Sequence, residues 1–180
     1  MNNLKLYYNN TVKTLLLNEF KYTNIHQIPK IEKITINMGL GLNGQNKIFL
    51  KKAIEEISII TCQYPLIIKS KKSISNFKIR KGMLIGLLVT LRKDKMYTFL
   101  EKLIKLVFPR TRDFQGLNIT NFDKQGNYNF GLNEQLLFPE FDDILIESKR
   151  GFDISIITTA KNYTESFFLL KNIGMPFKKI

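Results

Sequence analysis

Between Ile57 and Lys93 the chain has no acidic residue and eight basic ones: Lys69, Lys71, Lys72, Lys78, Arg80, Lys81, Arg92 and Lys93. Six of the eight fall in the stretch Lys69-Ser-Lys-Lys-Ser-Ile-Ser-Asn-Phe-Lys-Ile-Arg-Lys81. Like charges at this density repel one another and oppose a compact state unless a polyanion is near. A phosphate backbone is the simplest such partner, because it releases its own counterions when Lys and Arg neutralise it. Ser73, Asn76 and Phe77 are interleaved with the cations. They offer hydrogen bonds to phosphate or sugar and one ring for stacking or wedging. A solvated loop whose lysines only aid solubility fits less well, since solvated charge runs usually mix both signs.

Other residue types that could do chemistry are sparse. His26 is the only histidine and sits in a polar link before Ile28-Pro29, a poor place for the base of a hydrolytic triad. The single cysteine, Cys62, excludes an internal disulfide or a multi-thiolate metal site, and reads as a small packed residue. Gly39-Leu-Gly-Leu-Asn-Gly44 matches the dinucleotide-binding spacing G-x-G-x-x-G between a strand and a helix. The acid that should follow at the end of the next strand is absent, because that strand ends at Lys69 in the acid-free stretch. Glycines needed for a tight turn explain the pattern. Ser75-x-x-Lys78 resembles an acyl-transfer motif but lies inside the basic run. Asp142, Asp143 and Glu147 lack the spacing of a calcium loop and read as a solvated acidic segment. No catalytic residue, metal site or cofactor is expected.

The whole chain agrees with this local signal. It has 180 residues, a net charge of +13 and 44% apolar content, enough for a real core. Charge is uneven: Asp113 to Glu147 holds seven acids against Lys124 alone. No apolar run approaches a membrane span. The N-terminal residues have neither the apolar core of a signal peptide nor the Arg- and Ser-rich character of a transit peptide. The protein is therefore expected to be made where it works or to have been processed. Abundant Lys, Ile and Asn suggest a small AT-rich genome.

The elements that must position these residues follow from periodicity. Residues 4–20 read as a helix with Leu4, Tyr8, Val12, Leu15 and Leu16 inward. Residues 33–38 alternate as a half-buried strand, with Ile34, Ile36 and Met38 on one face and Lys33, Thr35 and Asn37 on the other. Residues 47–61 form a second helix with Leu50, Ile54 and Ile57 inward, and 65–69 a short strand. After the basic loop, 85–92 is a strand with Leu87, Val89 and Leu91 opposite Leu88, Thr90 and Arg92. Residues 95–107 are helical, capped by Asp94 and stopped by Pro109. Residues 113–143 hold short strand pieces at most. Residues 152–159 are a strand, and 163–173 the last helix, ended by Gly174 and Pro176. The expected fold is an α+β domain spanning 1–180, with a basic excursion at 69–84. An antiparallel-dominated sheet packs helices on one face and leaves Lys33, Asn37, Thr90 and Arg92 on an open polar face, a common RNA platform.

The sequence resembles the bacterial-type ribosomal large-subunit protein five family, which binds 5S rRNA. The blocks that carry the resemblance are Lys33-Ile-Thr-Ile-Asn-Met-Gly39, Lys71-Lys-Ser-Ile-Ser-Asn-Phe-Lys-Ile-Arg80 and Val89-Thr-Leu-Arg92. Further on come Pro109-Arg-Thr-Arg-Asp-Phe-Gln-Gly-Leu117, Phe122-Asp-Lys-Gln-Gly-Asn-Tyr128, Glu134-Gln-Leu-Leu-Phe-Pro-Glu140 and Arg150-Gly-Phe-Asp-Ile-Ser-Ile-Ile-Thr-Thr-Ala-Lys161. Ile25-His-Gln-Ile-Pro29 and Gly174-Met-Pro-Phe-Lys178 look most like plastid members, with a mitochondrion or an AT-rich bacterium as alternatives. Three departures stand out. Ser75-Asn76 replaces a small residue and Gly before Phe77, Lys93-Asp94 replaces a Gly-containing turn, and Asp142-Asp-Ile-Leu-Ile is looser than usual.

The resemblance implies a non-enzymatic component of the central protuberance of the large ribosomal subunit. Asn37, Gln63 and Thr90 match the family's polar 5S rRNA-binding residues, with Lys33 and Arg92 adding charge. Lys69, Lys71, Lys72, Ser73, Phe77, Lys78, Arg80 and Lys81 look like the arm that approaches peptidyl-site tRNA. Large-subunit rRNA, neighbouring ribosomal proteins and a small-subunit bridge protein are the other implied partners; no membrane is.

Overall fold

The computed structural model describes residues 3–112, 114–141 and 149–178. Five strands are found among them: β1 (Ile31–Gly39), β2 (Leu66–Lys69), β3 (Leu84–Leu91), β4 (Tyr128–Leu132) and β5 (Phe152–Thr158). They pair in the order β2-β3-β1-β5-β4, which puts the first strand at the centre. The expected α+β class with an antiparallel sheet is what the chain adopts. Residues alternate in burial along β1 and β5, as a sheet covered on one face requires. The chain gathers into two compact units, each assembled from separate stretches.

The first unit comprises Met1–Ile34, Leu91–Phe130 and Ser155–Ile180. It contains α1 (Asn3–Tyr7) and α2 (Lys13–Phe20), which a wide turn over Tyr8–Val12 joins into one helical run. In that turn the Lys13 N–H donates to the Tyr8 carbonyl, five residues back. Leu4, Tyr8, Val12 and Leu16 are buried. Side chains four apart drift by about 40° on a regular α-helix. The wide turn cancels part of that drift and keeps the stripe on one face. Leu15, expected inward, is consequently exposed. The buried Tyr8 hydroxyl donates to the Pro29 carbonyl at 3.0 Å. Burial, with Tyr97 beside it, pushes this phenol up to about 12, so it remains a neutral donor at physiological pH.

The same device recurs after α4 (Lys93–Lys102). A second wide turn over Leu103–Val107 has the Phe108 N–H donating to the Leu103 carbonyl, and α5 (Phe108–Arg110) follows. Pro109 therefore does not stop the helix, contrary to expectation. Proline lacks an N–H and crowds the carbonyl four residues back, and the wide turn opens the ladder at that point. Asp94 is not the cap either. The helix begins one residue before it, and its carboxylate accepts from Lys5 Nζ at 2.7 Å. That hydrogen bond and the charge of Lys5 hold Asp94 below the usual carboxylate range. The final helix, α6 (Tyr163–Ile173), has the expected bounds and ends on Gly174 at φ 105°.

The second unit comprises Thr35–Thr90 and Gly131–Ile154. Here α3 (Lys47–Thr61) has the expected bounds, and Asn46 caps it by accepting from the Ile48 N–H at 3.0 Å. Its buried stripe is Ala53, Ile57, Ile60 and Thr61. Leu50 and Ile54, expected to be fully inward, are only half-buried. The helix closes on Cys62, which adopts the left-handed conformation at φ 51° and is exposed. The packed role expected for this cysteine is thus wrong, because the reversal after α3 turns its side chain outward.

The Arg150 guanidinium is buried in this unit against the Glu56 carboxylate, with the Phe49 ring 4.2 Å from its centre. The Arg150 N–H donates to Gln135 Oε1 at 2.5 Å.

Candidate nucleic-acid interface

The basic run is a hairpin continued outward from β2 and β3. These strands pair antiparallel, Leu66 opposite Leu88 and Ile68 opposite Gly86, with a register shift between Ile68 and Lys69. Beyond the shift the ladder resumes. The Ser70 N–H donates to the Met83 carbonyl at 2.8 Å, and the Gly82 N–H to the Ser70 carbonyl at 2.9 Å. Ile74 and Ile79 exchange backbone hydrogen bonds at 2.8 and 3.1 Å. Ser73 Oγ accepts from the Lys81 N–H at 3.0 Å. The tip is the four-residue turn Ser75–Lys78, closed by the Lys78 N–H to the Ser75 carbonyl. Lys78 sits there at φ 53°, a conformation that costs a non-glycine residue roughly 1–2 kcal/mol.

All six cations from Lys69 to Lys81 are exposed, and none forms an ion pair with a described residue. Phe77 is 65% exposed at the tip. A hydrogen-bonded hairpin that carries outward one exposed ring and cations without an acidic partner among the described residues is suited to phosphate contacts with a stacking or wedging ring between them.

The polar residues of the sheet form the second element. Asn37 on β1 and Thr90 on β3 are half-buried, on neighbouring strands. Gln63 follows α3, and its Nε2 donates to the Thr90 carbonyl at 3.2 Å. The structure therefore brings Gln63 and Thr90 together. That hydrogen bond fixes the Gln63 amide and leaves its oxygen to accept. The Asn37 amide and the Thr90 hydroxyl make no hydrogen bond to a described residue, which leaves both free for a ligand. Lys33 lies on β1 at an alternate position from Asn37 and is half-buried. Arg92, just past β3, is exposed and lies 3.5 Å from Glu32 Oε1. Its charge is thus partly offset, which the sequence did not reveal because Glu32 sits 60 positions away.

The glycine-rich stretch does not form a phosphate cradle. Only Gly41 has positive φ, at 55°. Gly44 backs onto β3 so closely that a Cβ there would lie 2.5 Å from the Leu84 carbonyl oxygen. The Leu40 N–H is spent on the Ile85 carbonyl and the Gln45 amide on that of Leu84. Close approach to β3, more than positive φ, explains the third glycine. His26 is exposed in a short turn. Asp142, Asp143 and Glu147 lie outside the described residues.

Comparison with known proteins bears on the same surface. The family profile described as "Ribosomal protein L5" matches residues 24–80, and the profile of the same family's C-terminus matches 84–177. The chain is 56% identical over 176 residues to "Large ribosomal subunit protein uL5c" of Gracilaria tenuistipitata var. liui, covering 98% of both chains. It is 54% identical to the protein of the same name from Pyropia yezoensis, over 98% of this chain and 97% of that one. With "Large ribosomal subunit protein uL5" of Nostoc punctiforme the identity is 50%, over 97% and 96%. Similarity of this extent, running through both the basic hairpin and the polar strands, means that the chain belongs to the ribosomal protein L5 family.

Proposed function

We infer that the protein is a structural, non-enzymatic component of a plastid large ribosomal subunit. It binds 5S rRNA through Asn37, Gln63 and Thr90, with Lys33 and Arg92 adding charge along the same strands. The hairpin from Lys69 to Lys81 reaches peptidyl-site tRNA and rRNA. Large-subunit rRNA, neighbouring ribosomal proteins and a small-subunit bridge protein complete its surroundings. The observation that carries the reading is the hairpin, whose six exposed cations have no acidic partner among the described residues. The plastid assignment rests on similarity to red-algal proteins named uL5c and to cyanobacterial ones named uL5.

The two elements should separate experimentally. Asn37→Ala or Thr90→Ala removes a fixed hydrogen-bonding group and strands its RNA partner. Either should weaken 5S rRNA binding by about 1–3 kcal/mol, with little change in salt dependence. Binding equal to that of the parent would place the 5S contact elsewhere.

Deleting residues 73–80 tests the hairpin. It removes the tip but keeps the pairing of Ser70 with Gly82 and Met83, which Lys71, Lys72 and Lys81 can then close as a three-residue turn. The variant should fold, and its affinity for 5S rRNA should stay near that of the parent. Ribosomes carrying it should release peptidyl-site tRNA faster. Normal tRNA retention, or collapse of 5S binding, would give the hairpin a different partner.

A further inference from the structure

One face of α3 is left uncovered by the described residues. Lys47, Leu50, Lys51, Ile54 and Glu55 line an open groove with Tyr64, which follows the helix, and its volume is about 260 Å³. Tyr64 is 71% exposed and makes no ring contact or hydrogen bond with a described residue. This is the face where Leu50 and Ile54 were expected to be core and are not. An exposed aromatic ring beside two half-buried aliphatic side chains suggests a missing occupant.

We propose that the α3 groove holds one unstacked RNA base, stacked on Tyr64 above Leu50 and Ile54, with its phosphate on Lys47 and Lys51. The proposal rests on the rRNA-binding reading above and adds a site outside the Asn37, Gln63 and Thr90 set. Three features select a nucleotide. The volume falls below the roughly 300–1,000 Å³ of sites for larger ligands and suits a single ring system. An amphipathic helix would need anchors along two or more turns between two walls, whereas among the described residues only Tyr64 faces α3 across the groove. Two lysines at the rim against one acid give the charge that a phosphodiester complements. Glu55 disfavours a phosphate at its own position but can accept from an exocyclic amine, which adenine, cytosine and guanine carry and uracil lacks. The groove also adjoins the candidate RNA face in the chain, because Tyr64 directly follows Gln63, whose amide is fixed on Thr90.

The test uses the full chain with 5S rRNA and large-subunit rRNA transcripts. Base–aromatic stacking predicts that Tyr64→Ala binds the cognate transcript roughly 5- to 150-fold more weakly, while Tyr64→Phe binds like the parent. Lys47→Gln and Lys51→Gln should each lower the salt slope by about 1. The chain has no tryptophan, so Tyr64→Trp supplies a unique fluorophore whose emission should be quenched by the transcript. If the parent binds neither transcript, the rRNA-binding reading itself falls. If the parent binds and Tyr64→Ala binds equally well, the groove proposal falls alone. Indole emission from the Tyr64→Trp variant that ignores RNA but responds to RNA-free large-subunit proteins would also overturn it, by making the occupant a protein.

Discussion

Raising the salt from 50 to 200 mM should weaken binding of this protein to 5S rRNA by about 10³-fold. The expectation follows from +13 net charge on 180 residues. Each neutralised phosphate releases condensed counterions, so the logarithm of affinity falls with the logarithm of salt at roughly 0.9 per phosphate for a duplex. About six phosphates then give three orders of magnitude over a fourfold change in salt. Filter binding or fluorescence titration at four or five salt concentrations gives the slope directly. The variant lacking residues 73–80 should keep most of that slope, because its missing cations serve another partner. A flat salt profile would mean that the charge does not face this RNA.

Glu56→Ala should destabilise the fold more than any substitution on the RNA-facing surface. It removes the partner of a guanidinium whose side chain is 8% exposed, and the Phe49 ring and Gln135 cannot replace that charge. Breaking one half of a buried pair costs about 3–5 kcal/mol. For a chain of this size that corresponds to a fall in Tm of roughly 6–20 °C, measurable by calorimetry or circular dichroism. Replacing both partners with apolar residues, Glu56→Leu with Arg150→Met, should recover much of the loss, because no charge is then stranded. If Glu56→Ala melts within a degree or two of the parent, the pair is not buried in solution.

Periodicity made the regular elements readable. The alternation through Ile34, Ile36 and Met38 marked β1. The bounds of α3 and α6 came from their apolar stripes, with Gly174 marking the end of α6, whereas nothing in the sequence marked Cys62 as the left-handed residue that closes α3. Local spacing could not show the two wide turns, since a run of Leu4, Tyr8, Val12 and Leu16 is compatible with either ladder. The basic run looked like a loop because charged residues hid the Ile74–Ile79 pairing. The cations of the candidate site were plain in the sequence, as their type alone carries the signal. The Gln63–Thr90 hydrogen bond and the Glu56–Arg150 pair were invisible, because they join positions 27 and 94 apart. The half-exposed face of α3 was misread as core for a related reason. Helical spacing marks an apolar stripe but does not say what covers it.

β2 lies at the end of the strand order, is four residues long, and exposes Leu66. An open edge of this kind invites a second copy to add its own strand. The register shift at Lys69 breaks the edge's regularity, and the cations that follow would bring two hairpins of the same sign together. The hairpin is therefore expected to oppose self-association of the RNA-free protein. Neutralising Lys69, Lys71 and Lys72 together would show this as turbidity in concentrated, RNA-free solution, before any effect on translation is assayed.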